Sequence, residues 1–192
     1  MFTAFQKTEF TCHYFHENHK SKRLSITQKQ RGECVLFLAP FVATPTPVVR
    51  QMLILAELKP GEILYDLGSG DGRAVIMAAK DFGAQSVGVE LRDDLSKRAL
   101  ESIQKLDLNE KTQILQKDIF NVNLSPANVV FLYLTTSANE RIKPKLEQEL
   151  KPGTRVVSHD YEILGWKPSK VDNFCENPKI GYPSHTLYVY EV

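Results

Sequence analysis

The chain has 192 residues, 42% hydrophobic and 24% charged, with 24 Lys+Arg against 23 Asp+Glu. That is the composition of one ordinary globular domain, and it excludes collagen-like, coiled-coil and wholly disordered architectures. A formal net charge of +1 offers no basic field for nucleic acid or an anionic membrane. At this length a folded chain buries about 70% of the surface its unfolded form exposes, so no disulfide framework or structural metal is required. The charge is uneven: residues 1–33 carry six Lys/Arg and three Asp/Glu, which leaves a net of −2 over residues 34–192. Cys12, Cys34 and Cys175 are odd in number and scattered, the usage of a reducing compartment. The longest apolar stretch, Cys34 to Ala43, is interrupted by Pro40 and falls short of the roughly 20 residues of a bilayer span. Met1 to Glu33 has no apolar core of a signal peptide. The expectation is a soluble, cytoplasmic monomer.

Residues 1–33 show neither helical nor strand periodicity and read as a poorly ordered polar extension; the domain proper is expected over 34–192. His13, His16 and His19 near Cys12 have a spacing that suits one helical stripe, but no second ligand cluster follows, and no metal site is expected. From Thr46, read as a cap with Pro47 at the first helical position, apolar residues recur at helical spacing up to Lys59-Pro60-Gly61. A strand is predicted over 62–67, a helix over 73–82 closed by Gly83, a strand over 85–90 and a helix over 93–106. Strands near 112–117 and 127–134, a helix over 137–150 and a strand over 155–159 follow. After Trp166 the alternation stops, and 170–176 and 186–192 read as two strands joined through Pro178, Gly181 and Pro183. Strands alternating with helices imply a mostly parallel, seven-stranded sheet covered on both faces, ended by an antiparallel hairpin at its edge.

The strongest chemical signal is Tyr65-Asp66-Leu67-Gly68-Ser69-Gly70-Asp71-Gly72-Arg73, where the first strand turns into the first crossover helix. In an open α/β sheet this is the ligand-binding edge. Glycines there let the backbone turn tightly and approach a ligand. A dinucleotide fingerprint places its third glycine one residue later, where this chain has Arg73. Asp66, just before the glycines, would repel a pyrophosphate and suits a cationic ligand such as S-adenosylmethionine, with its sulfonium and α-ammonium. Glu90, at the end of the second strand, can accept from both ribose hydroxyls. Asp118, after the third, can accept from an adenine amino group with Ile119 and Phe120 on the ring, or cap a turn.

These residues resemble the motifs of class I S-adenosylmethionine-dependent methyltransferases. Pro40-Phe41-Val42-Ala43-Thr44-Pro45, Lys143-Pro144-Lys145-Leu146, the run Leu150 to His159 (LKPGTRVVSH) and Trp166 are similar, more narrowly, to the small protein-lysine methyltransferases of archaea and their mitochondrial relatives. The resemblance covers about Pro40 to Val192. Ala43 stands where a proline is expected and Ser69 where a cysteine is frequent. It implies a Rossmann-like fold and a cofactor held by Thr44, Asp66, Gly68, Ser69, Gly70, Gly72, Glu90, Asp118 and Ile119. It also implies that residues 41–45 fold over the cofactor as a lid.

A lysine acceptor must lose a proton, which at pH 7 costs about 4–5 kcal/mol; a partly desolvated aromatic pocket lowers that cost. Tyr133, His159 and Trp166, with Asp160 and Tyr161, are the candidates, and the expected partner is a protein lysine side chain. Alternatives are a small-molecule or nucleic-acid methyltransferase, or a nicotinamide-dependent oxidoreductase. The first lacks a covering insertion; the second lacks an N-P-P-Y tetrad at Phe131-Leu132-Tyr133-Leu134. Glycine spacing and Asp66 oppose the third.

Overall fold

A computed structural model describes residues 41–176 and 184–192, together with a short antiparallel backbone pairing of Lys29–Gln30 with Glu33–Cys34. The Cys12 to His19 tract lies outside the described residues, as do residues 177–183. The chain divides into two units, 1–37 and 38–192; the second carries every candidate site residue.

Its elements follow in the predicted order: α1 (Thr46–Leu55), β1 (Ile63–Leu67), α2 (Arg73–Phe82), β2 (Gln85–Val89), α3 (Asp93–Lys105), β3 (Thr112–Leu115), β4 (Val129–Leu132), α4 (Thr136–Glu149), β5 (Arg155–His159), β6 (Lys170–Phe174) and β7 (His185–Glu191). The strands form one seven-stranded sheet in the order β3-β2-β1-β4-β5-β7-β6. β1 to β5 are mutually parallel. Because chain order reverses across β1, the crevice beyond its carboxyl end, between β1 and β4, is where an α/β sheet binds its ligand.

Strand periodicity distributes the core over two faces. Tyr65 and Leu67 of β1, Val130 and Leu132 of β4 and Val156 of β5 point to one face, where Ala138, Ile142 and Leu146 of α4 pack. Leu64, Val129, Phe131 and Val157 point to the other, against Val48, Met52 and Leu53 of α1 and Ala74, Met77 and Ala78 of α2. Both faces are covered, so β4 is buried at all four positions.

Three local expectations are corrected. Pro45, not Thr46, is the N-cap of α1, and no side chain caps it. β4 is shorter than the apolar run 127–134, since Ala127 donates its N–H to Leu124 in a turn (3.0 Å) and Tyr133 passes beyond the ladder. α4 begins earlier, because the Thr135 hydroxyl accepts from Ala138 N–H (3.3 Å). The antiparallel hairpin at the edge of the sheet is as expected, with β7 lying between β5 and β6, antiparallel to both. An apolar, strictly alternating strand gains more by pairing on two sides than by standing at an edge.

Candidate active site

The glycine loop is held by main-chain bonds to the neighbouring strand. Gly68 and Ser69 N–H both donate to Val89 carbonyl (2.8 and 3.0 Å), and Gly72 N–H donates to Ser69 carbonyl (2.9 Å). Gly68, Gly70 and Gly72 have φ of 92°, 55° and 79°, the left-handed region that a side chain disfavours. At Gly72 there is a packing reason too, since an added Cβ would lie 2.8 Å from Ala99 Cβ on α3. Ser69 is buried against Gly88 of β2, where a Cβ would meet its Oγ at 2.6 Å, and that Oγ has no hydrogen-bond partner among the described residues. Its side chain therefore sits between loop and sheet, and what it offers the crevice is backbone.

Residues 41–45 lie across this loop. The Phe41 ring occupies the space a Cβ on Gly70 would need, and Arg73 ties the strap down. Its Nη1 donates to Thr44 carbonyl (2.8 Å), while Nε and Nη2 grip Asp71 bidentately (2.9 and 2.6 Å). Arg73 stands where a dinucleotide fold places its third glycine; here it is a latch. A charge-assisted bond of this kind, half exposed, contributes about 1 kcal/mol. Arg73→Met is accordingly expected to weaken S-adenosylhomocysteine binding five- to tenfold, by calorimetry, with roughly unchanged melting temperature.

Two acids flank the loop. Glu90 is 7% exposed and acts as a staple: Oε2 accepts from Gly70 N–H and Oε1 from Arg92 N–H, each at 2.8 Å. Each oxygen keeps a further lone pair for an incoming hydroxyl. Asp66, at the tip of β1, is half-buried; burial first, then the nearby Glu90 and Asp71, push its carboxyl up to about 7. An acid so placed lacks a cation. Asp118 accepts from Phe120 N–H (3.0 Å) and so caps the 3-10 turn Ile119–Asn121, with Ile119 buried beside it.

Beyond β4 and β5 an aromatic, polar cluster forms at the same sheet edge. Leu67 pairs with Leu132, and Leu132 with Ser158, so Tyr133 follows beside Gly68 and His159 beside Tyr133. The Tyr133 and His159 rings stack with centroids 3.9 Å apart, and Tyr161 lies 6.4 Å from Tyr133. Burial first, then the nearby Asp160 carboxylate, raises the pKa of the Tyr133 phenol. His159 is fully buried, held down to about 4 mainly by desolvation. Trp166 goes elsewhere: it donates to Glu147 on α4 (2.8 Å) and packs edge-on to Tyr190 at 5.6 Å. The sequence reading missed His185, whose Nδ1 lies 2.9 Å from His159 Nε2. Its signal was the register of β7 on β5, invisible until the final strand is known to insert there.

Comparisons with known proteins agree with this geometry. Residues 66–170, more than half of the chain, match the model of the ANTKMT methyltransferase domain. Over 154 residues the chain is 47% identical to a protein-lysine N-methyltransferase of Saccharolobus islandicus (strain REY15A), covering 80% of this chain and 93% of that one. It is 29% identical to the adenine nucleotide translocase lysine N-methyltransferase of Mus musculus over 80% of this chain, and spans 63% of that protein. A crystal structure described as an RNA methyltransferase from Salinibacter ruber in complex with S-adenosyl-L-homocysteine superposes with a TM-score of 0.73 at 40% identity, covering 79% of this chain and 94% of that one.

Proposed function

This chain belongs to the ANTKMT methyltransferase domain family, and from that membership we propose that it is an S-adenosylmethionine-dependent protein-lysine N-methyltransferase. The observation that carries the cofactor reading is the pairing of a carboxyl pushed up to about 7 at Asp66 with a loop whose left-handed turns at Gly68, Gly70 and Gly72 bring main chain to the crevice. A ligand with fixed positive charge relieves the first and needs the second. Bound S-adenosylmethionine supplies an electrophilic methyl group on a sulfonium. Asp66 and the Thr44 hydroxyl hold its methionine end, Glu90 its ribose, and Asp118 with Ile119 its adenine; the main chain of Gly68, Ser69, Gly70 and Gly72 lines the cradle.

The acceptor reading rests on the cluster beyond β4. Methyl transfer to an amine is an in-line displacement, so the protein mainly has to position and deprotonate the nucleophile. Tyr133, stacked on His159, presents an aromatic face and a phenolic oxygen to an entering ammonium group. Its partly desolvated surroundings favour the neutral amine. We propose Tyr133 as the acceptor-contacting residue, His159 as its support, and Trp166 as an anchor of the 160–166 loop. The 47% identity to an archaeal protein-lysine methyltransferase supports the same acceptor.

The likeness to a structure titled RNA methyltransferase favours one competitor. Opposing it, the carboxyl groups of Asp66, Glu90, Asp118 and Asp160 stand at or just beyond the carboxyl ends of their strands and would repel phosphates. Labelled methyl transfer into a host-cell lysate, followed by mapping of the modified residue, is expected to place label on lysine side chains of protein; label on RNA alone would refute the reading. No helix among the described residues is long and apolar enough to cross a membrane. With the scattered cysteines, we propose a cytoplasmic, monomeric enzyme.

A further inference from the structure

The chain leaves β5 by a turn of a rare kind. Tyr161 N–H donates to the His159 carbonyl (2.8 Å) across a single residue, Asp160, whose φ is 59°. A three-residue turn with its centre in the left-handed region is the strained form of the γ-turn. Such strain survives only where the surroundings over-determine it, commonly at functional sites. Here it is held from two sides. From β7, the Thr186 carbonyl accepts from Asp160 N–H (2.7 Å) and Thr186 N–H donates to Asp160 Oδ1 (2.9 Å). From α4, the grip is one side chain, Asn139.

Asn139 is 0% exposed. Its Nδ2 lies 3.0 Å from the Tyr161 carbonyl, 3.3 Å from Ser158 Oγ and 3.4 Å from the Glu162 carbonyl. Carbonyl oxygens only accept, so the amide nitrogen must face the loop, which settles the orientation of the side chain. The Ser158 hydroxyl donates to the same Tyr161 carbonyl, leaving its oxygen to accept from Asn139. The Tyr161 carbonyl thus uses both lone pairs. At the other end of the amide, Oδ1 is buried with no partner among the described residues. A buried acceptor left unpaired is destabilising in a way that an apolar side chain is not, and Asn is a poorer helix former than Ala or Leu. An amide kept there in spite of both points to what its nitrogen holds.

What it holds is the backbone of Tyr161. That ring is 39% exposed and lies 6.4 Å from the Tyr133 ring, centroid to centroid, at an interplanar angle of 35°. At this separation one ammonium group can lie within the roughly 6 Å range of cation–π attraction of both rings at once. The Tyr133 ring is braced by His159 at 3.9 Å; the Tyr161 ring takes its position from the turn that carries it.

We propose that Tyr161 is a second aromatic contact for the acceptor lysine, and that Asn139 is the positioning residue that sets it. The inference rests on the lysine-acceptor reading and deepens it. Tyr133 and Tyr161 flank the entering side chain, and Asn139, through the strained turn at Asp160, fixes the spacing between them. Asn139 itself touches neither donor nor acceptor and acts through the Tyr161 carbonyl.

The test is a double-mutant cycle on the full chain, with host-cell lysate protein as methyl acceptor and tritium-labelled S-adenosylmethionine as donor. Tyr161→Ala is expected to lower kcat/KM for lysate protein roughly tenfold, and Tyr161→Phe, which keeps the ring, to recover most of that loss. Asn139→Ala, which removes the donor and the unpaired oxygen together, is expected to lower kcat/KM roughly five- to twentyfold, largely as a rise in apparent KM for lysate protein. S-adenosylhomocysteine affinity should stay within about twofold of wild type, since the cofactor end of the crevice keeps its contacts. In the Tyr161→Ala background the same substitution should lower kcat/KM by less than about twofold more, because residues that act through one another are not additive. Ser158→Ala removes the second donor to the Tyr161 carbonyl and should repeat the pattern at roughly two- to fivefold, which keeps the test open if Asn139→Ala does not fold. Losses that multiply in the double variant, a fall in S-adenosylhomocysteine affinity matching the fall in transfer, or full transfer by Tyr161→Ala would each overturn the assignment. Wild-type protein that binds S-adenosylhomocysteine yet labels no lysine overturns the acceptor reading itself, a result seen without any variant and so distinct from a failed cycle.

Discussion

Replacing Asp66 with asparagine is expected to abolish binding of S-adenosylhomocysteine at pH 8 while raising the melting temperature of the ligand-free protein at the same pH. The two effects share one cause. Burial, Glu90 and Asp71 push the Asp66 carboxyl up to about 7, against roughly 3.9 in the unfolded chain. Between those values the folded state binds more protons than the unfolded one, so stability falls as pH rises through the window. Above pH 7 the full penalty is present, at most about 4 kcal/mol from a shift of about three units. The amide carries no such penalty. The melting temperature of Asp66→Asn minus that of wild type should therefore be near zero at pH 4 and grow to roughly 5 °C or more at pH 8, measured by scanning calorimetry. The carboxylate is worth retaining because a cationic donor repairs the imbalance. By the same reasoning, wild-type affinity for S-adenosylhomocysteine should fall about tenfold per pH unit below 7, and the variant's residual binding should be flat. A variant less stable than wild type at pH 8 would show that Asp66 is satisfied without a ligand.

Glu90 should behave in the opposite sense, though it too is an acid at the same crevice. Its carboxylate accepts two main-chain N–H groups at 2.8 Å, one from Gly70 in the loop and one from Arg92 before α3. Such charge-assisted bonds contribute about 1.5–3 kcal/mol each when buried. Glu90→Ala removes both and leaves the Gly70 donor stranded in a buried position. It is expected to cost about 3 kcal/mol, a fall in melting temperature of roughly 6–12 °C. Cofactor-analogue affinity should drop more than about a hundredfold, because the loop loses its shape and, in the proposed binding mode, the ribose its acceptor. Glu90→Gln keeps one acceptor oxygen and should recover about half the stability but little of the affinity. Urea titration of the two variants beside Asp66→Asn checks the sign: one acid destabilises the empty protein and the other builds it. Equal responses from both would mean that Glu90 is not the staple of the loop.

Much of this molecule is legible from residue order because its decisive signals are local. Turn chemistry at Gly68, Gly70, Gly72 and Gly83, and the helical spacing of Leu95, Ala99 and Ile103, depend on neighbours a few positions away. The parallel sheet follows from alternating strands and helices, since parallel strands need crossovers. Asp66 and Glu90 could be named in advance because a strand tip is a fixed address in such a sheet. Errors arose where an apolar run outlasts its element, as in 127–134: periodicity records burial, and Leu134 is buried without being in the ladder.

Composition, glycine spacing and acid placement therefore determined the fold class and the chemistry of the cofactor crevice, each being a property of contiguous stretches. Tertiary structure alone decided that Arg73 latches a strap 29 residues away, that Trp166 braces α4, and that β7 threads between β5 and β6 to bring His185 against His159. Those outcomes depend on which side of a strand is left to pair and on how side chains share buried hydrogen-bonding capacity. Both are settled by the whole packed sheet, and no short window of sequence contains them.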